Sequence, residues 1–301
     1  MKVAVTGSSG LIGSALVPAL QADGHEVLRL VRRTPRTADE HRWDPAHRRV
    51  DPALLADVDA VVNLAGVGLG DRRWTRRYQQ EILASRVDST ATISQGLADA
   101  AAADPDRPRV LLSGSAVGWY GDTGERPVDE RDPSGAGFLA EVCRQWEGAT
   151  APARDAGVRV TLLRTGLVLA RGGLMSRIRP LFQAGLGGRL GTGRQYWPWI
   201  SLTDEVDAIR FLLTAGLSGP VDLTGPAPVT NAEFTAVLAR LVHRPAVLPV
   251  PAPALRLVLG GFADEGVLAG QRALPTALTA AGFRHTHADL ESALRAALAR
   301  G

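Results

Sequence analysis

Lysine is almost missing from this chain. Among 34 basic residues in 301, Lys2 is the single lysine, so the remaining 33 (34 − 1) are arginines. Any chemistry that needs a lysine amine in mid-chain is excluded at once. Cysteine is as scarce: Cys143 alone rules out an internal disulfide and a cysteine-based metal cluster, and suits a reducing compartment. Tyrosine is limited to Tyr78, Tyr120 and Tyr196. No uncharged run approaches the ~20 residues of a membrane helix, since the apolar stretch 255–268 is interrupted by Arg256, Asp264 and Glu265. The first residues run straight into a strand and a glycine loop, which leaves no room for a signal peptide. These absences lead to the expectation of a cytoplasmic protein with no membrane partner. The arginine pairs are scattered, the net charge is only +3, and no nucleic-acid module accompanies them, so no nucleic-acid partner is expected. His285 and His287 stand without a carboxylate cluster, so no metal site is expected. The absence of a G-x-S-x-G elbow disfavours hydrolase chemistry.

What is present is an alternation of short apolar runs with helical periodicity. KVAVT (2–6), EVLRLVR (26–32), AVVNLAG (60–66), RVLLSGSA (109–116) and VRVTLLRTGLVL (158–169) read as strands. Helical patterns follow Gly10 and cover 75–101, 139–156 and 203–215. This predicts an α/β fold, a Rossmann-type doubly wound parallel sheet. After about Leu169 the chain turns to glycine-rich loops, an aromatic cluster QYWPWI, a capping box from Thr230 to Glu233, and an extended proline-rich stretch HRPAVLPVPAPA. A last helix is expected from about His287. The expected organisation is a dinucleotide-binding domain of 1–166 and 200–223, with a smaller C-terminal substrate-binding part of 167–199 and 224–301.

Between the first strand and the first helix stand Gly7, Gly10 and Gly13, spaced G-x-x-G-x-x-G after Thr6. A tight turn, close approach of backbone to a pyrophosphate and close helix–strand packing all require glycine, and the helix N-terminus then receives the phosphate. Thr6, Gly7, Ser9, Gly10, Leu11, Ile12 and Gly13 are therefore the expected cofactor loop, with Leu64, Ala65 and Gly66 across from it. An acid about 20 residues on would signal NAD through the ribose 2′-OH. The second strand instead ends in Arg32 and Arg33, which suit a 2′-phosphate, although surface arginine is the other reading. NADP is preferred over NAD.

These features resemble the extended, epimerase-like branch of the short-chain dehydrogenase/reductase superfamily. GSSGLIGSAL, VVNLAG, RRWT, SGSAVGWYG, FLAEVCRQWE, LRTGLVL, GRQYWPWI and HRPAVLPVPA are similar to the epimerase-like family that includes SDR39U1, over essentially the whole chain. The resemblance implies NADP binding and a distinct C-terminal segment, but no particular substrate. In the wider superfamily a Tyr transfers the proton as hydride moves, a Lys four residues on lowers its pKa and holds the nicotinamide ribose, and a Ser orients the substrate oxygen. Here the corresponding pair is Phe138 and Val142, or Leu139 and Cys143 when Glu147 is aligned. None of the three tyrosines has a lysine at the required spacing. The usual pair is absent.

Ser113 and Ser115 occupy the serine region. Tyr120, beyond the strand end, is either a substitute phenol or a packing residue. Glu141 is either an acid/base or a surface carboxylate, and Cys143 either a nucleophile or a small core residue. Arg194, Trp197 and Trp199 are placed by the resemblance where substrate is contacted, with packing as the alternative. Two functions stay open: an NADP-dependent oxidoreductase or epimerase acting on a small molecule, or an NADP-holding sensor with no turnover. A homodimer is one open arrangement.

Overall fold

A computed structural model describes residues 1–299. Seven parallel strands form its sheet: β1 (Lys2–Thr6), β2 (Glu26–Val31), β3 (Glu40–Arg42), β4 (Ala60–Asn63), β5 (Val110–Ala116), β7 (Arg159–Thr165) and β11 (Gly219–Leu223). Their spatial order is β11-β7-β5-β4-β1-β2-β3. The chain first builds outward from β1 to β3, then crosses over and builds the other way from β4. The reversal between β1 and β4 is the switch point where such sheets open a ligand crevice.

Side-chain alternation explains why both faces are covered. Val3 and Val5 point into one core layer with Val62, Leu112 and Leu163, under α1 (Gly13–Ala22) and α7 (Leu202–Thr214). Ala4, Val61 and Leu111 point into the other, with Leu55, Ile93, Leu97 and Ala153 from α2 (Pro52–Asp57), α3 (Arg76–Ala103) and α5 (Ala151–Asp155). The period of two sends neighbours to opposite faces, and burial on both requires apolar residues throughout.

Three expectations change in detail. The helix expected over 139–156 is two helices, α4 (Phe138–Gly148) and α5, with Pro152 tolerated only in the first turn of the second. The strand expected over 158–169 divides at Gly166, where a Cβ would lie 2.1 Å from the Pro198 carbonyl oxygen. Beyond it β8 (Leu167–Leu169) leaves the main sheet to pair with β10 (Trp199–Ser201). The proline-rich stretch is extended only as far as Pro251; α9 (Ala252–Leu259) starts there, with Pro253 in its first turn.

A separate core joins β8, β10, α6 (Gly173–Gln183), α8 (Asn231–Leu241) and α11 (Leu290–Leu298) around Trp197, Trp199, Phe234 and Leu294. Within this region β9 (Tyr196–Trp197) pairs with β12 (Val229–Thr230), and the pairing of β6 (Pro127–Val128) with β13 (Arg272–Ala273) ties the C-terminal part to the rest. The short α10 (Thr276–Ala280) sets Leu278 into the first core layer. Among the described residues no helix is long and apolar enough to cross a membrane.

Candidate functional site

The glycine loop forms one lip of the crevice. Gly7 has φ +66°, and a Cβ on it would lie 2.7 Å from the Leu64 carbonyl oxygen. A Cβ on Gly13 would come within 2.3 Å of the Gly7 oxygen, so α1 starts directly beneath the turn. Ile12 is the N-cap and has no side chain able to cap. The N–H groups of Leu11, Ile12 and Gly13 find no backbone partner among the described residues, which leaves them for an anion at the positive end of the helix. Ser9 and Gly10 form the exposed rim. The methyls of Leu11 sit against Gly172 and Gly173, where added Cβ atoms would come to 2.9 and 3.1 Å.

A buried hydrogen-bond chain fixes the crevice floor. Thr6 Oγ1 donates to Asn63 Oδ1 at 2.7 Å and accepts from the Leu64 and Ala65 N–H groups at 3.0 and 3.1 Å. Asn63 Nδ2 and Trp146 Nε1 both donate to Thr90 Oγ1 at 2.9 Å. One network thus joins β1, β4, α3 and α4, and every buried polar group in it is paired, which makes the floor rigid. Thr90 and Trp146 carried no sequence signal.

Beyond the end of β2, Arg33 donates through both Nη atoms to Glu40 at 2.6 Å each. Arg33, helped by the Arg36 N–H, pulls the Glu40 carboxyl down to about 2. Arg33 is thereby engaged within the protein. Arg32 is exposed and makes no hydrogen bond or ion pair among the described residues.

Beyond the end of β5, a cavity of about 320 Å³ opens beside α4, lined by Gly118, Asp122, Leu139, Glu265 and Gln271. Leu139 lies on its wall, at one of the two positions where the resemblance calls for a tyrosine. The N-cap of α4 is Gly137, with no side chain to satisfy the first N–H groups. Glu265 takes that role, accepting from the Phe138 and Leu139 N–H groups at 2.8 Å each. The C-terminal region therefore anchors the helix that borders the cavity.

The proposed proton-transfer residues lie elsewhere. Tyr120 is buried, its phenol donating toward both Asp222 oxygens (2.8 and 2.9 Å) and accepting from Arg164 at 3.1 Å. Burial, and then the Asp222 charge, push its pKa far above the ordinary phenol value, which favours the packing alternative for Tyr120. Tyr120→Phe should cost about 1–2 kcal/mol of stability through one lost buried hydrogen bond and leave NADPH affinity unchanged. Denaturant titration and cofactor titration check the two halves; weakened NADPH binding would return Tyr120 to the site.

Glu141 is on the surface, paired with Gln145 at 2.7 Å and Arg144 at 3.0 Å, which together lower its pKa. An exposed, stabilised carboxylate is poorly matched to general acid work. Ser113 and Ser115 are buried at the end of β5, and Ser115 donates to Glu147 at 2.6 Å. Glu147 in turn forms a two-point pair with Arg164 at 2.8 and 3.0 Å. The Cys143 thiol is buried, donates to the Ala116 carbonyl and is pushed up to about 12 by burial, so it packs as a small core residue.

The two tryptophans of the expected substrate wall take the packing alternative. Trp199 is fully buried, donating to the Ala227 carbonyl, and Trp197 packs edge-on against Phe234 at 5.0 Å. Both fill the second core because their large apolar rings gain more there than at a wet surface. Arg194 is on the outside, paired with Glu125 at 2.7 Å.

Comparison with known proteins agrees with this geometry. Residues 3–222 match the model of the NAD dependent epimerase/dehydratase family, and 250–297 match a domain of unknown function. An epimerase family protein of Mycobacterium bovis is 53% identical over 300 residues, covering 99% of this chain and 98% of that one. The epimerase family protein SDR39U1 homolog of Arabidopsis thaliana is 37% identical, covering 98% and 86%. The crystal structure of human epimerase family protein SDR39U1 (isoform 2) with NADPH superposes with a TM-score of 0.86 at 31% identity, covering 99% of both chains.

Proposed function

Because this chain belongs to the NAD dependent epimerase/dehydratase family, we propose that it binds NADP(H) and exchanges hydride with a secondary alcohol or carbonyl of a small, hydroxyl-rich substrate. The observation that carries the reading is the pairing of an open helix N-terminus behind Gly7, Gly10 and Gly13 with an unengaged Arg32 just beyond β2. The first suits the pyrophosphate; the second suits a 2′-phosphate, for which a guanidinium is the matched partner. Leu64, Ala65 and Gly66 border the dinucleotide across the switch point. The NADPH bound by human SDR39U1 supports the same choice.

Bound cofactor would supply the hydride; the chain supplies position. Asp122, Glu265 and Gln271 line the cavity together with the apolar Leu139, a mix of groups that suits orienting a ligand through a few hydrogen bonds. With Tyr120 sealed in the core and Glu141 outside, the proton step differs from the superfamily pattern. Aspartate at position 32 tests the cofactor choice. Arg32→Asp should weaken NADPH roughly tenfold or more, as loss of a charged hydrogen bond does, and spare NADH. Equal NADPH affinity in the two proteins would refute the assignment to NADP. Turnover is tested by following NADPH absorbance against fractionated metabolite extracts. Tight NADPH binding with no oxidation by any fraction would sink the oxidoreductase reading and favour a cofactor-holding protein without chemistry.

A further inference from the structure

Apart from Met1, the large apolar side chains left exposed all fall on one part of the molecule. Leu181, Leu186, Val247, Leu248, Leu257 and Val258 are uncovered by half or more, Val247 by 81% and Leu257 by 76%. They are neighbours in space. At the end of α6, Leu186 donates its N–H to the Leu181 carbonyl at 2.8 Å. The chain then runs beside 247–250: Gly188 backs on to the Leu248 carbonyl, and Val250 donates to Arg189 at 2.8 Å and accepts from Gly191 at 2.9 Å. From there α9 starts at once, a helix of eight residues none of which is buried, carrying Leu257 and Val258. Single exposed aliphatic residues are ordinary, but a group of this size on one face marks a contact surface.

The charge around that face has one sign. No aspartate or glutamate occurs in 156–203 or in 234–263, the two stretches that build it. Arg179, Arg189 and Arg244 lie on them, and none forms an ion pair among the described residues. Arg73 extends the rim. Its Cγ lies 3.3 Å from where a Cβ on Gly260 would stand, just past α9, and the adjoining Trp74 packs on Phe262 at 5.3 Å. Arg76 and Arg77 follow, both exposed, in a first turn of α3 that holds no acid. The positive end of the helix dipole repels arginine there, so an anionic surface outside the protein would offset that cost.

We propose that this face, made by α6, α9 and the segments between, docks on the surface of a bilayer that contains anionic lipid. Aliphatic side chains enter the boundary between headgroups and acyl chains, while the surrounding arginines meet the headgroup phosphates. Such attachment needs no spanning helix, and none is present among the described residues. A two-fold contact with a second copy suits the face less well, because it sets these arginines against one another. The inference is independent of the cofactor and of the function proposed above.

The test is flotation of the full chain with vesicles of phosphatidylcholine mixed with phosphatidylglycerol, and with vesicles of phosphatidylcholine alone. The protein should float with the anionic vesicles, stay behind with the neutral ones, and be released as salt is raised. Leu257→Asp with Val258→Asp should weaken binding roughly tenfold or more, and Arg76→Ser with Arg77→Ser about fivefold for each arginine removed. All four side chains are exposed, so both variants should melt with the wild type. No flotation with anionic vesicles, equal flotation with neutral ones, or binding that survives Leu257→Asp with Val258→Asp overturns the proposal. So does a dimer in sedimentation that those same substitutions dissociate, since a second copy then covers the face.

Discussion

Arg164→Met should destabilise the protein by about 3–5 kcal/mol, the usual cost of stripping one partner from a buried ion pair. In a chain of this size that corresponds to a fall in melting temperature on the order of 10 °C. Arg164 and Glu147 have side chains only 3% and 8% exposed. The guanidinium also donates to Tyr120 and stands 4.0 Å from the Trp119 ring centroid, while Ser115 donates to Glu147. Removing the arginine leaves a carboxylate in an apolar surround with one hydroxyl for company. Removing both charges should cost less than the single change: Arg164→Met with Glu147→Leu leaves no orphaned ion, and such replacements are often near neutral. Denaturant titration of the two single variants and the double one is the measurement. Single variants within about 1 kcal/mol of wild type, or a double variant whose loss equals the sum, would show that the pair is not coupled. The consequence reaches the site, because this pair holds α4 to β5 and β7 beside the cavity.

Glu205→Gln should change how stability depends on pH. Glu205 is wholly buried on α7; Thr165 donates to one of its oxygens at 2.9 Å and the other has no partner. Burial pushes its pKa up to about 8 from 4.5. Between those two values the folded protein holds a proton that the unfolded chain has released, so folding stability falls as pH rises through the interval. Below the unfolded pKa the term vanishes. Above pH 8 it is fully developed, at most about 5 kcal/mol. Glutamine keeps the acceptor for Thr165 and cannot ionise. The stability difference between variant and wild type should therefore be small near pH 4 and grow by several kcal/mol toward pH 8.5. Parallel stability–pH curves would mean that Glu205 is hydrated or paired in solution.

The cofactor side of the site was the more legible in the sequence. Gly7 and Gly13 are dictated by contacts within a few residues of chain, or with the next strand end, and such sterics leave a mark on residue type. The strands were legible because alternation and burial on both faces demand apolar runs, although Gly166 and Pro152 cut two elements that periodicity had joined. Arg32 and Arg33 looked equivalent in the sequence, yet Glu40 takes one and leaves the other. That choice depends on how β3 docks beside β2.

The catalytic side was legible mostly as an absence. The single lysine and the misplaced tyrosines exclude the usual proton-transfer pair from composition alone, whatever the fold does. What stands in its place could not be read along the chain. Tyr120 meets Asp222 across 102 residues, and Ser115 meets Glu147 across 32. Trp197 and Trp199 could serve a wall or a core until α8 and α11 close over them. The glycine loop, the doubly wound sheet and the absence of the usual Tyr–Lys pair were all legible along the chain, because local sterics, periodicity and composition suffice for each. Which charges are answered within the protein and which are left free emerged only in three dimensions, because pairing depends on distances between elements far apart in the chain.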